Sequence, residues 1–182
     1  MASSYSSDLS LELITTGEKA GLWGTITNTN LQILQQAASG YVAVPMTSGS
    51  DVTLSLADGS DTANGKNLYL KLTGTMTASI SLIIPTATSG GTATRTYIIE
   101  DTTDRTTANN YTINIKTAGS STPVPLPEGA NIIVRSDGTD TVLAFIKPGI
   151  KNITAATITA YTAVNGDQVV VDTQANAVTI TL

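Results

Sequence analysis

Leu9, Leu11 and Leu13 alternate with Ser10 and Glu12 in the stretch SDLSLELI. A period of two is that of a strand with one buried face. No hairpin turn follows it, so it reads as a lone extended arm that pairs with another chain. The Ser-rich residues 1–7 before it read as flexible. At Trp23 the period changes. Ile26, Asn30, Ile33, Leu34 and Ala37 share one face at helical spacing, and Leu31 and Ala38 widen it. Thr25 is the expected N-cap, because its hydroxyl can accept from free N–H groups of the first turn. Gly40 stands where a C′ residue with positive φ is wanted. A helix of about 14 residues is marginal alone in water and must dock on something. Gly21 and Gly24 allow sharp turns on either side of Trp23, the single Trp of the chain. Trp23 has two compatible readings: a core anchor for the helix, or a contact with another subunit or a larger assembly.

From Tyr41 onward the pattern is short strands: 41–45, 51–56, 67–72, 79–84, 96–100, 111–116, 131–135 and 141–146. Turn signals separate them, among them Asp58-Gly59, Asn64-Gly65, Gly90-Gly91 and Asp137-Gly138. Such pairs tolerate the positive φ that tight hairpins need. IIVRSDGTDTVLAF is the strongest hairpin signal. STPVPLPEG carries three alternate prolines and reads as an extended, unpaired edge segment. Many short strands with turn signals predict a mainly β fold, an antiparallel β-sandwich or barrel-like module. After Pro148-Gly149 three further strands are expected, in ITAATITAYTAV, DQVVVDT and NAVTITL. The expected organisation is therefore an N-terminal arm and helix (1–40), a β-module (41–147) and the start of a second small β-module (148–182). A last apolar strand with no closing turn reads as the N-terminal part of a longer protein. No internal repeat is visible.

The 182 residues include 41 % hydrophobic and only 13 % charged ones, against a usual quarter charged. Disordered chains show the reverse balance. Thr supplies much of the missing polarity and suits a half-exposed pleated surface. A Thr-rich, charge-poor β-surface leans toward contact with another protein copy. The net charge of −5 and the scattered Lys and Arg argue against nucleic acid. With no Cys, there is neither a disulfide nor a thiolate metal site. No apolar run approaches the ~18 residues of a membrane span, and the N-terminus is not a secretory signal.

His is absent, which removes His triads and His-metal sites. A carboxylate pair could still hydrolyse glycosides. The candidates are Glu100, Asp101 and Asp104, and the turn pair Asp58 and Asp61. All sit beside turn residues, where solvated carboxylates are ordinary, so no catalytic residue, cofactor or metal is assigned. DGSDTANG lacks the spacing and closing Glu of a calcium loop.

Two stretches resemble known proteins. TGEKAGLWGTITNTNLQILQQAASG resembles the opening of tail-fibre and related virion proteins of tailed bacteriophages, especially marine ones. The matching residues are Thr16, Gly17, Trp23, Gly24, Asn28, Asn30 and Leu31. The run from VTLSLADGSDTANGKNLYLKLTGTMTASISLIIPT through YIIEDTT, YTINIKT and VPLPEGANIIVRSDGTDTV resembles the β-module that follows that opening. GDQVVVDTQANAVTITL is similar to the start of another small β-module in such fibres. Together they span most of residues 8–182. The resemblance implies a structural virion protein that is not an enzyme. It implies the particle-proximal part of a tail fibre, usually a homotrimer, located in the virion tail. Its partners would be other virion proteins, a tail adaptor or nozzle. It further implies that Leu9, Leu11, Leu13 and Trp23 anchor the chain, and that Leu31 and Leu34 pack between helices or onto the β-module. The alternatives are a capsid decoration or head-fibre protein on the capsid surface, and a carbohydrate-binding adhesin module. The adhesin would need clustered aromatics, drawn from Tyr69, Tyr97, Tyr111 and Tyr161.

Overall fold

The computed structural model describes residues 3–47, 49–105 and 111–147, together with strands 150–154, 160–162, 168–172 and 179–181; side chains are described as far as residue 141. Among the described residues the protein is mainly β, with one α-helix, several sheets and no closed barrel. Strands β1 (Ser4–Tyr5) and β2 (Glu12–Leu13) precede helix α1 (Trp23–Ser39). Next come β3 (Tyr41–Pro45), β4 (Val52–Thr53), β5 (Tyr69–Thr75) and β6 (Ile80–Ile84). A two-stranded spur, β7 (Ala87–Thr88) and β8 (Gly91–Thr92), leads to β9 (Arg95–Asp104) and β10 (Ile113–Thr117). The module ends with β11 (Val124–Leu126), β12 (Asn131–Ser136) and β13 (Thr141–Lys147).

Two sheets face one another. One has the order β13-β12-β9-β5-β3 and the other β11-β10-β6-β4. The chain crosses from sheet to sheet: β3, β5 and β9 lie in the first, while β4, β6 and β10 lie in the second. Within each sheet these successive strands pair in parallel. Tyr41 stands beside Tyr69, and Tyr69 beside Ile98, so the chain winds like a solenoid. The expected antiparallel sandwich is thus corrected to a mixed one. Parallel neighbours need a long crossover. Here the crossover is a strand of the opposite sheet, so one winding extends both sheets.

The second half reverses direction. β11 returns antiparallel beside β10, β12 beside β9, and β13 beside β12. The Asp137-Gly138 hairpin forms as expected: Gly138 has φ +92°, and Asp137 Oδ1 accepts from the N–H groups of Thr139 and Asp140. The proline segment is at a sheet edge but is not unpaired. Val124 and Leu126 point into the core while Pro125 faces out, and the segment pairs with β10.

Alternation fills the space between the sheets. Leu70 and Leu72 of β5, Tyr97 and Ile99 of β9, and Ile132 and Val134 of β12 meet Ile80, Leu82 and Ile84 of β6 and Ile113 and Ile115 of β10. Burying such side chains is worth roughly 1.5–3 kcal/mol each. This core holds the module that α1 and the arm rest on.

Beyond the module, β14 (Ile150–Thr154) pairs in parallel with β16 (Gln168–Asp172), and β15 (Ala160–Thr162) with β17 (Thr179–Thr181). This interleaving repeats the winding of the first module at a shorter pitch, since Ile150 stands beside Gln168. The repeat is one of backbone path, which is why no sequence repeat exposes it. Much of the expected strand in ITAATITAYTAV lies outside the described residues.

Candidate assembly surface

The arm does not stay open for another chain. Ser4 pairs with Leu13 and Tyr5 with Glu12, so β1 and β2 form a hairpin within the chain. Only Glu12 and Leu13 of the expected strand are regular. Ser10 breaks it with φ +53° and turns fully inward. Leu9 and Leu11 are half-buried, while Leu13 is exposed.

Helix α1 starts two residues before the expected cap. Thr25 is inside it, Trp23 is its first residue, and Leu22 precedes it without a side-chain cap. Gly40 is not left-handed. It is extended, with φ −67° and ψ 144°. Its lack of a side chain serves close packing instead: a Cβ there would lie 2.5 Å from Asn67 Oδ1 and 2.6 Å from Gln36 Cα.

Polar groups tie the helix down. Asn30 binds both backbone groups of Glu12. The Gln36 side chain donates to Asp61 O, and Gln36 O accepts from Leu68 N–H at 3.1 Å. The Glu12 carboxylate accepts from Ser3 Oγ at 2.7 Å and meets Lys19 Nζ at 3.0 Å. These two contacts hold its pKa below the ordinary carboxylate range. On the helix itself, Ile33 is the one fully buried residue, flanked by half-buried Ile26, Asn30 and Ala37.

The remaining apolar residues of α1 have no cover. Trp23 is 64 % exposed, Leu31 57 % and Leu34 43 %. The core-anchor reading of Trp23 is therefore corrected: it stands on the surface. Trp23, Thr27, Leu31, Leu34 and Ala38 form a second stripe, turned by roughly a third of a turn from the docked face. Thr27, Leu31, Leu34 and Ala38 follow the 4-3-4 spacing of a helix seam. The third face carries Thr25, Asn28, Gln32, Gln35 and Ser39, so α1 contains no charged residue. Leu13, Ile14, Leu22 and Tyr41, near α1 in the sequence, are exposed as well. Among residues with described side chains, every exposed large hydrophobic lies between Leu13 and Tyr41. The residues 42–141 contribute none. Of these positions, Ile14, Leu22 and Tyr41 escaped the sequence reading, because exposure depends on how the helix docks.

The candidate carboxylates are dispersed. Glu100 accepts from Tyr69 Oη at 3.0 Å and lies 3.7 Å from Lys71 Nζ. Asp101 is buried and meets Arg105 Nη2 at 2.6 Å. It also accepts from Thr103 N–H and Oγ1 and from Gly129 N–H, while Arg105 Nη1 donates to Leu126 O. This network fixes the turn between β11 and β12. Asp104 is exposed at the end of β9, and Asp58 accepts from Ser89 N–H. Among the described residues, no three Asp or Glu converge as a metal site would need, and no helix is long and apolar enough to cross a membrane.

The candidate tyrosines are not gathered either. Tyr97 is buried, donates to Gly65 O at 2.8 Å, and has its pKa pushed up to about 12 by that burial. Tyr111 packs against the core. Tyr69 stacks on Tyr41 with ring centroids 5.9 Å apart. The Tyr161 side chain lies outside the described ones.

Compared with known families, curated proteins and solved structures, the chain matches none.

Proposed function

We propose that this chain is a structural protein of a phage virion, the particle-proximal part of a tail fibre. It joins the fibre to the tail and carries host-recognition modules behind it. The observation that carries this reading is that, among residues with described side chains, every exposed large hydrophobic lies within residues 13–41. An exposed apolar helix stripe of that kind marks an interaction site. It coincides with the stretch that resembles virion-attachment openings.

The occupant of the helix stripe is a second and third copy of α1. Its 4-3-4 spacing fits a helical neighbour. With no charge anywhere on α1, identical helices meet without repulsion. The same apolar surface, through Trp23 and Leu22, then meets the tail adaptor or nozzle.

Gold labelling of intact virions with antibody against this chain tests the reading. Label clustered at the tail supports a fibre. Label spread over the capsid overturns it in favour of a decoration or head-fibre protein.

A further inference from the structure

The turn between β1 and β2 reaches across to parts of the β-module far along the chain. Ser10 Oγ donates to Leu56 O at 3.3 Å, and Ser10 O accepts from Gly59 N–H at 2.9 Å. Ser7 O accepts from Thr88 Oγ1 at 2.9 Å. Asp8 Oδ1 accepts from Thr94 N–H at 2.8 Å and from Thr94 Oγ1 at 3.0 Å. Two glycines make room: a Cβ on Gly90 would stand 2.4 Å from Tyr5 O, and one on Gly59 3.1 Å from the Tyr5 ring. None of residues 5–10 belongs to the hydrophobic core. The segment is held by these hydrogen bonds and by the half-buried side chains of Tyr5 and Leu9, outside that core.

Below it lies an unbalanced cluster. Arg95 Nη1 donates to Asp8 O at 3.0 Å and Arg95 Nη2 to Lys66 O at 2.8 Å, so one guanidinium joins the segment to Lys66. Lys66 is fully buried, and its Nζ has no hydrogen-bond partner among the described residues. Neither has Arg95 Nε, nor Asp58 Oδ1. Two cations thus sit together, each with an unused donor. A buried ammonium without a partner is costly, and admitting water relieves it.

We propose that residues 5–10 are a strap over Lys66, and that the unpaired Lys66 ammonium drives the strap open. Removing the charge closes it. Burial pushes the Lys66 amine down to about 8; Arg95 adds to this, while Asp58 and Asp61 oppose it. Asp8 and Tyr5 are the titratable groups on the strap itself. In the open form, water restores the ordinary lysine value near 10.4. Closing therefore releases a proton, and the strap closes as pH rises between these values. The proposal stands on the strap's own contacts and is independent of the virion reading.

The test is solvent-exchange NMR on the full chain. The Thr94 and Gly59 amides report strap opening, because the strap supplies their acceptors. The Ile99 amide, in the centre of a sheet, reports global opening in the same sample. Protection factors are corrected for intrinsic exchange and compared at pH 7.0 and pH 9.5. At least tenfold more protection of Thr94 and Gly59 at the higher pH is expected, with both amides less protected than Ile99 at each pH, because the strap opens without global unfolding; Ile99 protection rises with the global stability. Lys66→Met should give the high value at both pH values, and Lys66→Gln serves if Met does not fold. Equal protection at both pH values in the wild type overturns the proposal. So does protection of Thr94 and Gly59 equal to that of Ile99 at both pH values, which would mean that they exchange only by global unfolding, or a pH response that survives loss of the Lys66 charge.

Discussion

The side-chain amide of Asn30 takes the place of a neighbouring strand for Glu12. Its Oδ1 accepts from the Glu12 N–H at 3.0 Å, and its Nδ2 donates to the Glu12 carbonyl at 2.9 Å. One side chain thus joins the arm to the helix. Asn30→Ala leaves both half-buried backbone groups unpaired, at a cost of about 1–3 kcal/mol. Denaturant unfolding should show that loss, and the Glu12 amide should lose its exchange protection.

The two glycines flanking the helix region have opposite roles. Gly40 has no room for a methyl group, whereas Gly24 faces open space within α1. Gly40→Ala should destabilise by about 1–3 kcal/mol through overpacking. Gly24→Ala should gain up to about 1 kcal/mol by reducing backbone freedom in the unfolded chain. Thermal melts of the two variants give the contrast directly.

Asp101 and Arg105 form a buried pair whose remaining bonds hold the turn before β12. Asp101→Ala leaves the guanidinium buried and uncompensated, a loss of about 3–5 kcal/mol. Urea unfolding should show it, and Asp101→Asn should recover only part, since the charge remains unanswered.

Stability should peak at alkaline pH. The folded Lys66 value of about 8 lies below the unfolded one, so the unfolded chain binds more protons from there to roughly 10.4, and stability rises across that window. The folded Tyr97 value of about 12 lies above its ordinary value near 10. Above pH ~10 the unfolded chain therefore loses its tyrosine proton first, and stability falls. Unfolding free energies across this range should show a maximum near pH 10. Lys66→Met should flatten the lower limb and Tyr97→Phe the upper one.

The faces of the strands were legible in the sequence, because a period of two fixes which side chains point inward. Leu70 and Leu72, or Ile113 and Ile115, could be read that way. Strand direction could not, since Tyr41 beside Tyr69 in parallel and a hairpin partner in reverse give the same alternation. Asn64-Gly65 looked like a hairpin turn, but it forms one 3-10 turn under Ser55 and Tyr97. The apolar positions of α1 were legible, but their division into a docked and an exposed stripe was not. That division is set by Asn30, Gln36 and Gly40, whose contacts lie with Glu12, Asp61 and Asn67. Lys66 gave no signal at all; it looks like any turn lysine until Arg95 and Asp58 are placed around it.

Sedimentation equilibrium of the full chain beside Leu31→Gln/Leu34→Gln tests most directly whether the exposed stripe of α1 is an assembly surface. Both side chains are exposed, so the double variant should keep the thermal midpoint and circular dichroism of a single chain. A mass of three chains for the wild type, falling to one in the variant, is the expected result. A wild type that sediments as one chain at every concentration, or a variant that stays trimeric, would contradict it.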